Sequence, residues 1–182
     1  KSSAVLAGMH LLETSLPAVT PQLNVAVIGA GAFGGWTALH LLRRGAKVTL
    51  LDAWGPGNSR ASSGGETRVI RGTYGANKIY TKMALRALQL WKENESRWQR
   101  QLYTRTGALW MVAGTGDFET ASIPVLDELK LKYTKLTSAE AAKRYPQINF
   151  DGIKWALWED EAGYLLARQS CELVLQNFLK EG

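Results

Sequence analysis

The segment Asn24-Val25-Ala26-Val27-Ile28-Gly29-Ala30-Gly31-Ala32-Phe33-Gly34 decides the fold class. Its first part is a short apolar run, the pattern of a strand in a buried parallel sheet. Its last six residues have the spacing G-x-G-x-x-G, and apolar Ala38, Leu41 and Leu42 then recur at helical spacing. A strand that passes through a glycine turn into a helix opens a βαβ unit, so the sequence predicts an α/β fold.

The second half of the unit follows directly. Arg43 and Arg44 lie where a helix C-terminus favours cations, and Gly45 is a typical C-terminal cap. The stretch Lys47-Val48-Thr49-Leu50-Leu51 has the composition of a second strand, and Asp52 follows it at once. Together these segments predict one complete Rossmann-like βαβ unit.

Each part of the motif has a role in binding a dinucleotide. Gly29 permits the tight turn, Gly31 lets the main chain approach a pyrophosphate, and Gly34 lets the helix pack close to the strand. Free N–H groups at the start of the helix attract phosphates. Asp52 lies where a carboxylate can accept hydrogen bonds from the ribose hydroxyls of adenosine. We therefore predict a dinucleotide site, with a glycine-rich turn in an ordinary α/β unit as the alternative.

The loop that follows indicates which dinucleotide is bound. In a nicotinamide-type fold a helix and another strand should come soon after Asp52, whereas residues 55–71 are mostly small and polar. Such a loop can lie against a large planar ligand, and Ser62 and Ser63 offer hydroxyls to its phosphate or ribityl groups. The loop favours FAD, and a nicotinamide-dependent dehydrogenase remains the alternative.

Two arginines close this loop. If residues 67–71 form one helical turn, Arg68 and Arg71 point to the same side, because they are three positions apart. A guanidinium pair beside a cofactor forms a carboxylate receptor or stabilises an anionic ring. The alternative is that both arginines form surface salt bridges, for which Glu66 is the nearby acid.

At this point the chain resembles the FAD-dependent amine oxidases of the D-amino-acid-oxidase superfamily, in particular the group of monomeric sarcosine, N-methyltryptophan and pipecolate oxidases. The most specific part is Thr67-Arg68-Val69-Ile70-Arg71, preceded by Ser62-Ser63-Gly64-Gly65-Glu66. The similarity continues in unbroken order from about Asn24 to Gly182. It implies an enzyme that oxidises the amine of an amino acid or N-alkyl amino acid to an imine, with oxygen or another acceptor reoxidising the flavin.

The resemblance also implies roles for single residues. Thr67 and Arg68 would be catalytic, with Arg68 over the flavin ring, and Arg71 would grip the carboxylate of the substrate. A histidine pair that is frequent in the family is replaced here by Ser63 and Gly64, which leaves more room and less charge near the flavin. The implied FAD-binding residues are Gly29, Gly31, Ala32, Phe33, Gly34, Asp52, Ala53, Ser62, Ser63, Thr67 and Arg68.

Composition excludes several other classes. The chain has 182 residues, 46% of them hydrophobic, and a net charge of +6, which is typical of a soluble globular protein. Its basic residues are spread over several elements and do not form a stripe, so nucleic acid is not an expected partner. One cysteine, Cys171, and two histidines predict neither a disulfide nor a metal site.

Four segments are predicted. Residues 1–22 are a leader, either the remainder of an export signal or a frayed helix and linker; 23–75 are the FAD-binding unit; 76–165 lead into an α+β substrate domain; 166–182 are a helix that returns to the FAD domain. Because family members are longer, we expect an incomplete enzyme that needs its C-terminal half or a second polypeptide. A non-catalytic FAD-carrying subunit is the alternative. We expect a cytoplasmic protein, or a periplasmic or secreted one if the leader belongs to a twin-arginine-type signal. No stable membrane span is expected.

Several further elements can be assigned from pattern. Residues 108–112 read as a strand, 118–131 as a helix, 154–158 as a strand and 167–180 as a final helix. Thr137 and Glu140 have the spacing of a capping box at the start of a short helix. One amphipathic helix is predicted to turn inward its apolar residues Tyr80, Met83, Ala84, Ala87, Leu88 and Trp91.

Overall fold

A computed structural model describes residues 23–182, which form five helices and eight strands. In chain order the elements are β1 (Asn24–Ile28), α1 (Ala32–Arg43), β2 (Lys47–Leu51), β3 (Thr67–Ile70), α2 (Lys78–Trp98), β4 (Tyr103–Arg105), β5 (Ala108–Val112), α3 (Asp117–Glu128), β6 (Tyr133–Thr137), α4 (Ser138–Arg144), β7 (Trp155–Glu159), β8 (Gly163–Leu166) and α5 (Ala167–Glu181). The predicted leader, residues 1–22, lies outside the described residues. No helix within residues 23–182 is long and apolar enough to cross a bilayer.

The chain divides into two compact units. The first contains residues 23–56 together with Cys171–Gly182, and the second contains Gly57–Ser170. The division therefore passes through α5, and the predicted segment borders at 75/76 and 165/166 both lie within the second unit.

The first unit is built on the predicted βαβ motif. Strands β1 and β2 pair in parallel, with Asn24 opposite Lys47 and Ile28 opposite Leu51. Helix α1 connects them and ends at Arg43, and the predicted capping glycine, Gly45, has a φ of +85°, which favours glycine. The N–H groups of Gly45 and Ala46 then bond to the carbonyls of α1, at 2.9 and 3.1 Å. This pattern is a Schellman cap. The parallel strands and the helix that connects them confirm the predicted Rossmann-like α/β fold.

The C-terminal part of α5 completes the packing of α1. A Cβ atom at Gly35 would lie 3.2 Å from Cγ1 of Val174, so the two helices are in close contact there. At the other end of α1, Arg43 donates both Nε and Nη2 to the carboxylate of Glu181, at 2.6 and 2.7 Å. Cys171 is buried in the same part of α5.

The second unit contains two antiparallel sheets of three strands. Their orders are β3-β8-β4 and β5-β7-β6, so β8 and β7 are the central strands. Leu136, Ala141, Phe150 and Ala156 form a buried cluster in which β6, α4 and β7 meet. The mixture of antiparallel sheets and helices is the α+β character predicted for this part of the chain.

Most assigned elements are confirmed, one interpretation is wrong, and another is only partly correct. The strands at 24–28, 47–51 and 108–112 have the predicted bounds, and the capping box of Thr137 and Glu140 is present. Residues 67–70 are a strand, not a helical turn. In α2, Trp91 is buried as predicted and Ala84, Ala87 and Leu88 are partly buried, but Tyr80 and Met83 are exposed, and the polar residues Thr81 and Asn94 are buried as well.

Candidate functional site

The glycine turn of the first unit exposes main-chain donors. Gly29 has a φ of +101°, which favours glycine, and its N–H donates to the carbonyl of Leu51 at 2.7 Å. Helix α1 then begins at an N-cap, Gly31, that provides no side-chain acceptor, and its first turn holds no acidic residue. The first N–H groups of α1 therefore have no side-chain cap among the described residues. Such a helix start attracts a phosphate.

Space around the glycines fits this role. A Cβ at Gly34 would collide with the carbonyl oxygen of Gly29, so only glycine lets α1 approach the turn so closely. At Gly31 a Cβ would find no heavy atom within 4 Å. One glycine is thus required for packing, whereas the other borders open space that a pyrophosphate can enter.

Asp52 joins the end of β2 to the glycine turn. Its Oδ2 accepts from the N–H of Ala30 at 2.7 Å, and its Oδ1 accepts from the N–H groups of Trp54 and Gly55 at 2.8 and 2.6 Å. These bonds, chiefly those from Ala30 and Trp54, lower the pKa of the carboxyl group because they favour its charged form. Since a carboxylate has about four lone-pair sites and the side chain is exposed, an acceptor position remains for a ribose hydroxyl.

The other predicted nucleotide-binding residues of the first unit lie at its surface. Ala32, Phe33 and Ala53 are exposed, and the Phe33 side chain is 94% exposed. Trp54 adds a second exposed ring, next to Ala53 along the chain. Apolar surface beside a cluster of main-chain donors suits a ligand that carries both a ring system and a pyrophosphate.

In the second unit, the two predicted arginines lie on a strand and just beyond it. Arg68 pairs with Leu165 of β8, and Arg71 follows the last residue of β3. Residues 67–70 are extended and not helical. The predicted arrangement, with Arg68 and Arg71 on one side of a helical turn, is therefore wrong.

Arg68 organises its own loop. Its Nε donates to the carbonyl oxygen of Ser62 at 2.8 Å, Nη2 donates to the same oxygen, and Nη1 donates to the carbonyl of Thr67 at 2.9 Å. A Cβ at Gly65 would lie only 2.7 Å from Nη1 of Arg68. The guanidinium thus closes the loop from 62 to 68, and it remains exposed.

Arg71 occupies a different environment. Its side chain is half-buried, with Cζ 4.3 Å from the ring centre of Tyr74 and 4.8 Å from that of Trp110. Nη1 donates to the carbonyl of Thr73. Within residues 23–182 no carboxylate lies within ion-pair distance of Arg71, and Glu66 instead pairs with Arg168 at 2.6 Å. The alternative in which both arginines form salt bridges is therefore not observed.

The residues that surround Arg71 carried little sequence signal. Tyr74 follows it closely, but Trp110 is far away in sequence and reads only as part of a strand. Glu159, buried at the end of β7, contacts the residues that follow Arg71. Long-range contacts of this kind have no local pattern, so no periodicity could have identified them.

The likeness of the chain to known proteins agrees with this geometry. The model of the DAO family, described as FAD dependent oxidoreductase, matches residues 24–182. Monomeric sarcosine oxidase of Arthrobacter sp. (strain TE1826) is 31% identical over 150 residues, which cover 82% of this chain and 39% of that protein. N-methyl-L-tryptophan oxidase of Citrobacter koseri is 28% identical over 159 residues, which cover 87% of this chain and 42% of that protein.

A solved structure shows the same fold. The modified fructosyl peptide oxidase from Aspergillus nidulans superposes with a TM-score of 0.73 at 21% identity, over 89% of this chain and 40% of that one. The chain thus spans about two fifths of the length of the curated relatives that it matches. The resemblance predicted from its motifs is confirmed: the chain belongs to the DAO family of FAD-dependent oxidoreductases.

Proposed function

We propose that this chain carries the FAD-binding and carboxylate-binding residues of an enzyme that oxidises the amine of an amino acid or N-alkyl amino acid to an imine. Two relatives are named for N-methylated amino acids, sarcosine and N-methyl-L-tryptophan. Because the chain spans about two fifths of their length, the remaining active-site groups are proposed to come from further sequence or from a second polypeptide.

The observation that carries this proposal is Arg71. It is a half-buried cation that is held against two aromatic rings and pairs with no carboxylate of the described residues. The planar guanidinium can form two parallel hydrogen bonds to a carboxylate. An amino-acid substrate brings the carboxylate that Arg71 lacks.

The cofactor residues are proposed from the geometry of the first unit. Gly31 and the first N–H groups of α1 bind the pyrophosphate, Asp52 binds the ribose, and Ala32, Phe33 and Ala53 lie beside the adenosine. Bound FAD supplies the redox step, by accepting a hydride equivalent from the carbon next to the substrate nitrogen. For the second unit, Ser62, Ser63, Thr67 and Arg68 stay the predicted flavin-binding residues.

The test is the replacement Arg71→Met in the FAD-loaded protein, with Arg71→Lys as the matched control. Loss of a charge-assisted pair costs about 1.5–3 kcal/mol, so the Met variant should bind carboxylate substrates roughly 10- to 150-fold more weakly. The Lys variant keeps the positive charge but cannot form the two parallel hydrogen bonds of a guanidinium. Its affinity for carboxylate substrates should therefore lie between those of the wild type and the Met variant. Flavin absorbance should show that both variants retain FAD.

Two outcomes would redirect the proposal. An unchanged dependence of the Met variant on carboxylate substrates would show that Arg71 does not bind them. A preparation that contains the further sequence or second polypeptide and retains FAD, but oxidises neither sarcosine nor N-methyl-L-tryptophan, would favour the alternative of a non-catalytic FAD-carrying subunit. A cytoplasmic or periplasmic location depends on residues 1–22 and stays a prediction.

A further inference from the structure

Glu159 is the one charged side chain among residues 23–182 that is buried, with 1% of its surface exposed. Its Oε2 accepts from the N–H of Thr73 at 3.1 Å and from the Thr73 hydroxyl at 2.6 Å. Its Oε1 accepts from the N–H of Gly72. All three donors belong to the two residues that directly follow Arg71, so this carboxylate fixes the main chain next to that arginine.

A buried carboxylate needs a reason. Removing a charge from water is expensive, and an apolar group of the same size is commonly as good for stability or better. The three hydrogen-bond donors around Glu159 offset the free-energy cost of removing its carboxylate from water. The space is also closely fitted, since a Cβ at Gly72 would lie 3.2 Å from Oε1 of Glu159 and 3.1 Å from Leu131.

The contact continues from Glu159 to the guanidinium. Nη1 of Arg71 donates to the carbonyl of Thr73, the same residue that Glu159 holds through both its N–H and its hydroxyl. The orientation of that carbonyl depends on the orientation of the Thr73 peptide groups. Glu159 therefore acts on the Arg71 side chain through one intervening residue.

The sheet β5-β7-β6 contacts Arg71 in a second way. Glu159 is the last residue of β7, and Trp110, whose ring lies 4.8 Å from Cζ of Arg71, is in the adjacent strand β5. Trp110 pairs with Leu157, two residues before Glu159. One rigid sheet thus holds both the face of the guanidinium and the main chain beside it.

We propose that Glu159 is a positioning residue for Arg71, which it holds in the orientation that receives the substrate carboxylate. The inference rests on the proposed function of Arg71. Because Glu159 forms no ion pair with Arg71 and bonds instead to Gly72 and Thr73, its effect passes through Thr73. Replacing Glu159 should therefore weaken carboxylate binding without removing FAD.

The experiment is a calorimetric titration of the FAD-loaded protein with acetate, the smallest carboxylate probe. Glu159→Gln has nearly the same volume but lacks an acceptor for one of the three donors, and we expect about tenfold weaker acetate binding. Thr73→Val removes only the hydroxyl, and its affinity for acetate should be about threefold lower. Thr73→Ser keeps the hydroxyl and should bind acetate like the wild type. If Glu159→Gln does not fold, the two Thr73 variants carry the test.

A matched control separates positioning from general damage. Thr81→Val also removes a fully buried hydroxyl of the second unit, but Thr81 takes no part in the hydrogen bond to Thr73 or in the ring contacts that hold Arg71. This variant should keep the acetate affinity even if its melting temperature changes. FAD content, read from flavin absorbance, should be unchanged in every variant.

The outcomes distinguish this inference from the proposed function. If Arg71→Met loses acetate binding while Glu159→Gln and Thr73→Val keep it within twofold, the positioning role is overturned and the function of Arg71 stands. If affinity falls only in proportion to lost FAD or equally in Thr81→Val, the role of Glu159 is structural. If the wild type does not bind acetate, or Arg71→Met binds it equally well, the proposed function fails and the inference fails with it.

Discussion

At the scale of single residues, Gly34 is needed for the packing of α1, whereas Gly31 is proposed to serve the binding of FAD. Gly34→Ala should destabilise the protein by about 3 kcal/mol, because its Cβ would collide with the main chain of Gly29. Gly31→Ala meets open space and should change the free energy of unfolding by less than about 1 kcal/mol. It should nevertheless weaken FAD binding by at least about tenfold, measured by titration of the apoprotein. Equal FAD affinity in Gly31→Ala and wild type would contradict the proposed pyrophosphate position.

Asp52 predicts a dependence of stability on pH. Its folded-state pKa is lowered by the N–H groups of Ala30 and Trp54, so its ionised form stabilises the fold above the unfolded pKa, about 3.9. This contribution is lost as the pH falls through the lower, folded-state pKa. Urea unfolding at pH 6, 4 and 3 should show that wild type is more stable than Asp52→Asn at pH 6 and that the difference shrinks with acid. A difference that does not depend on pH would contradict this role.

The short helix α4 gives a prediction at the scale of an element. Its capping box is complete: the N–H of Glu140 donates to the Thr137 hydroxyl at 3.2 Å, and the N–H of Thr137 donates to the Glu140 carboxylate at 2.7 Å. Thr137→Ala should lower the free energy of unfolding by about 1 kcal/mol, measured by chemical denaturation. Thr137→Ser keeps the hydroxyl and should unfold like the wild type. Equal losses in both variants would assign the effect to the methyl group instead.

Strand β3 shows why an element of four residues is hard to predict. The run Thr67-Arg68-Val69-Ile70 contains three β-branched residues, which favour a strand, but it is also long enough for one helical turn. Its pairing with β8, from Thr67 opposite Leu166 to Ile70 opposite Gly163, decides the conformation. The partner strand is almost 100 residues away, so only tertiary structure could decide that Arg68 lies in a strand and that Arg71 follows its end.

At the scale of the whole molecule, the first unit depends on two distant parts of the sequence. Val174 of α5 is 2% exposed and lies against Gly35 of α1. Val174→Ala should lower the melting temperature and cost about 2 kcal/mol, because it leaves a cavity. Gly35→Ala added to that variant should recover part of the loss, since the new methyl group fills the space. Additive losses in the double variant would show that the two residues do not pack together.

The long helix α2 illustrates the same dependence on tertiary contacts. The periodicity of α2 predicts a helix and most of its inward face, including Trp91, but it does not predict that Tyr80 and Met83 are exposed while Thr81 and Asn94 are buried. Asn94 is buried because its side-chain amide donates to the carbonyl of Leu90 at 2.7 Å. A polar residue that satisfies itself locally can replace an apolar one at a buried position.

The sequence by itself determined the βαβ unit, the glycine turn, Asp52 and the family of FAD-dependent oxidoreductases. These features depend on residues close together in the chain, whose spacing reports local geometry directly. Only the tertiary structure decided the surroundings of Arg71: the rings of Tyr74 and Trp110, and the buried carboxylate of Glu159. They come from separate strands and loops, which meet because antiparallel pairing brings distant segments side by side, and no local pattern records that meeting.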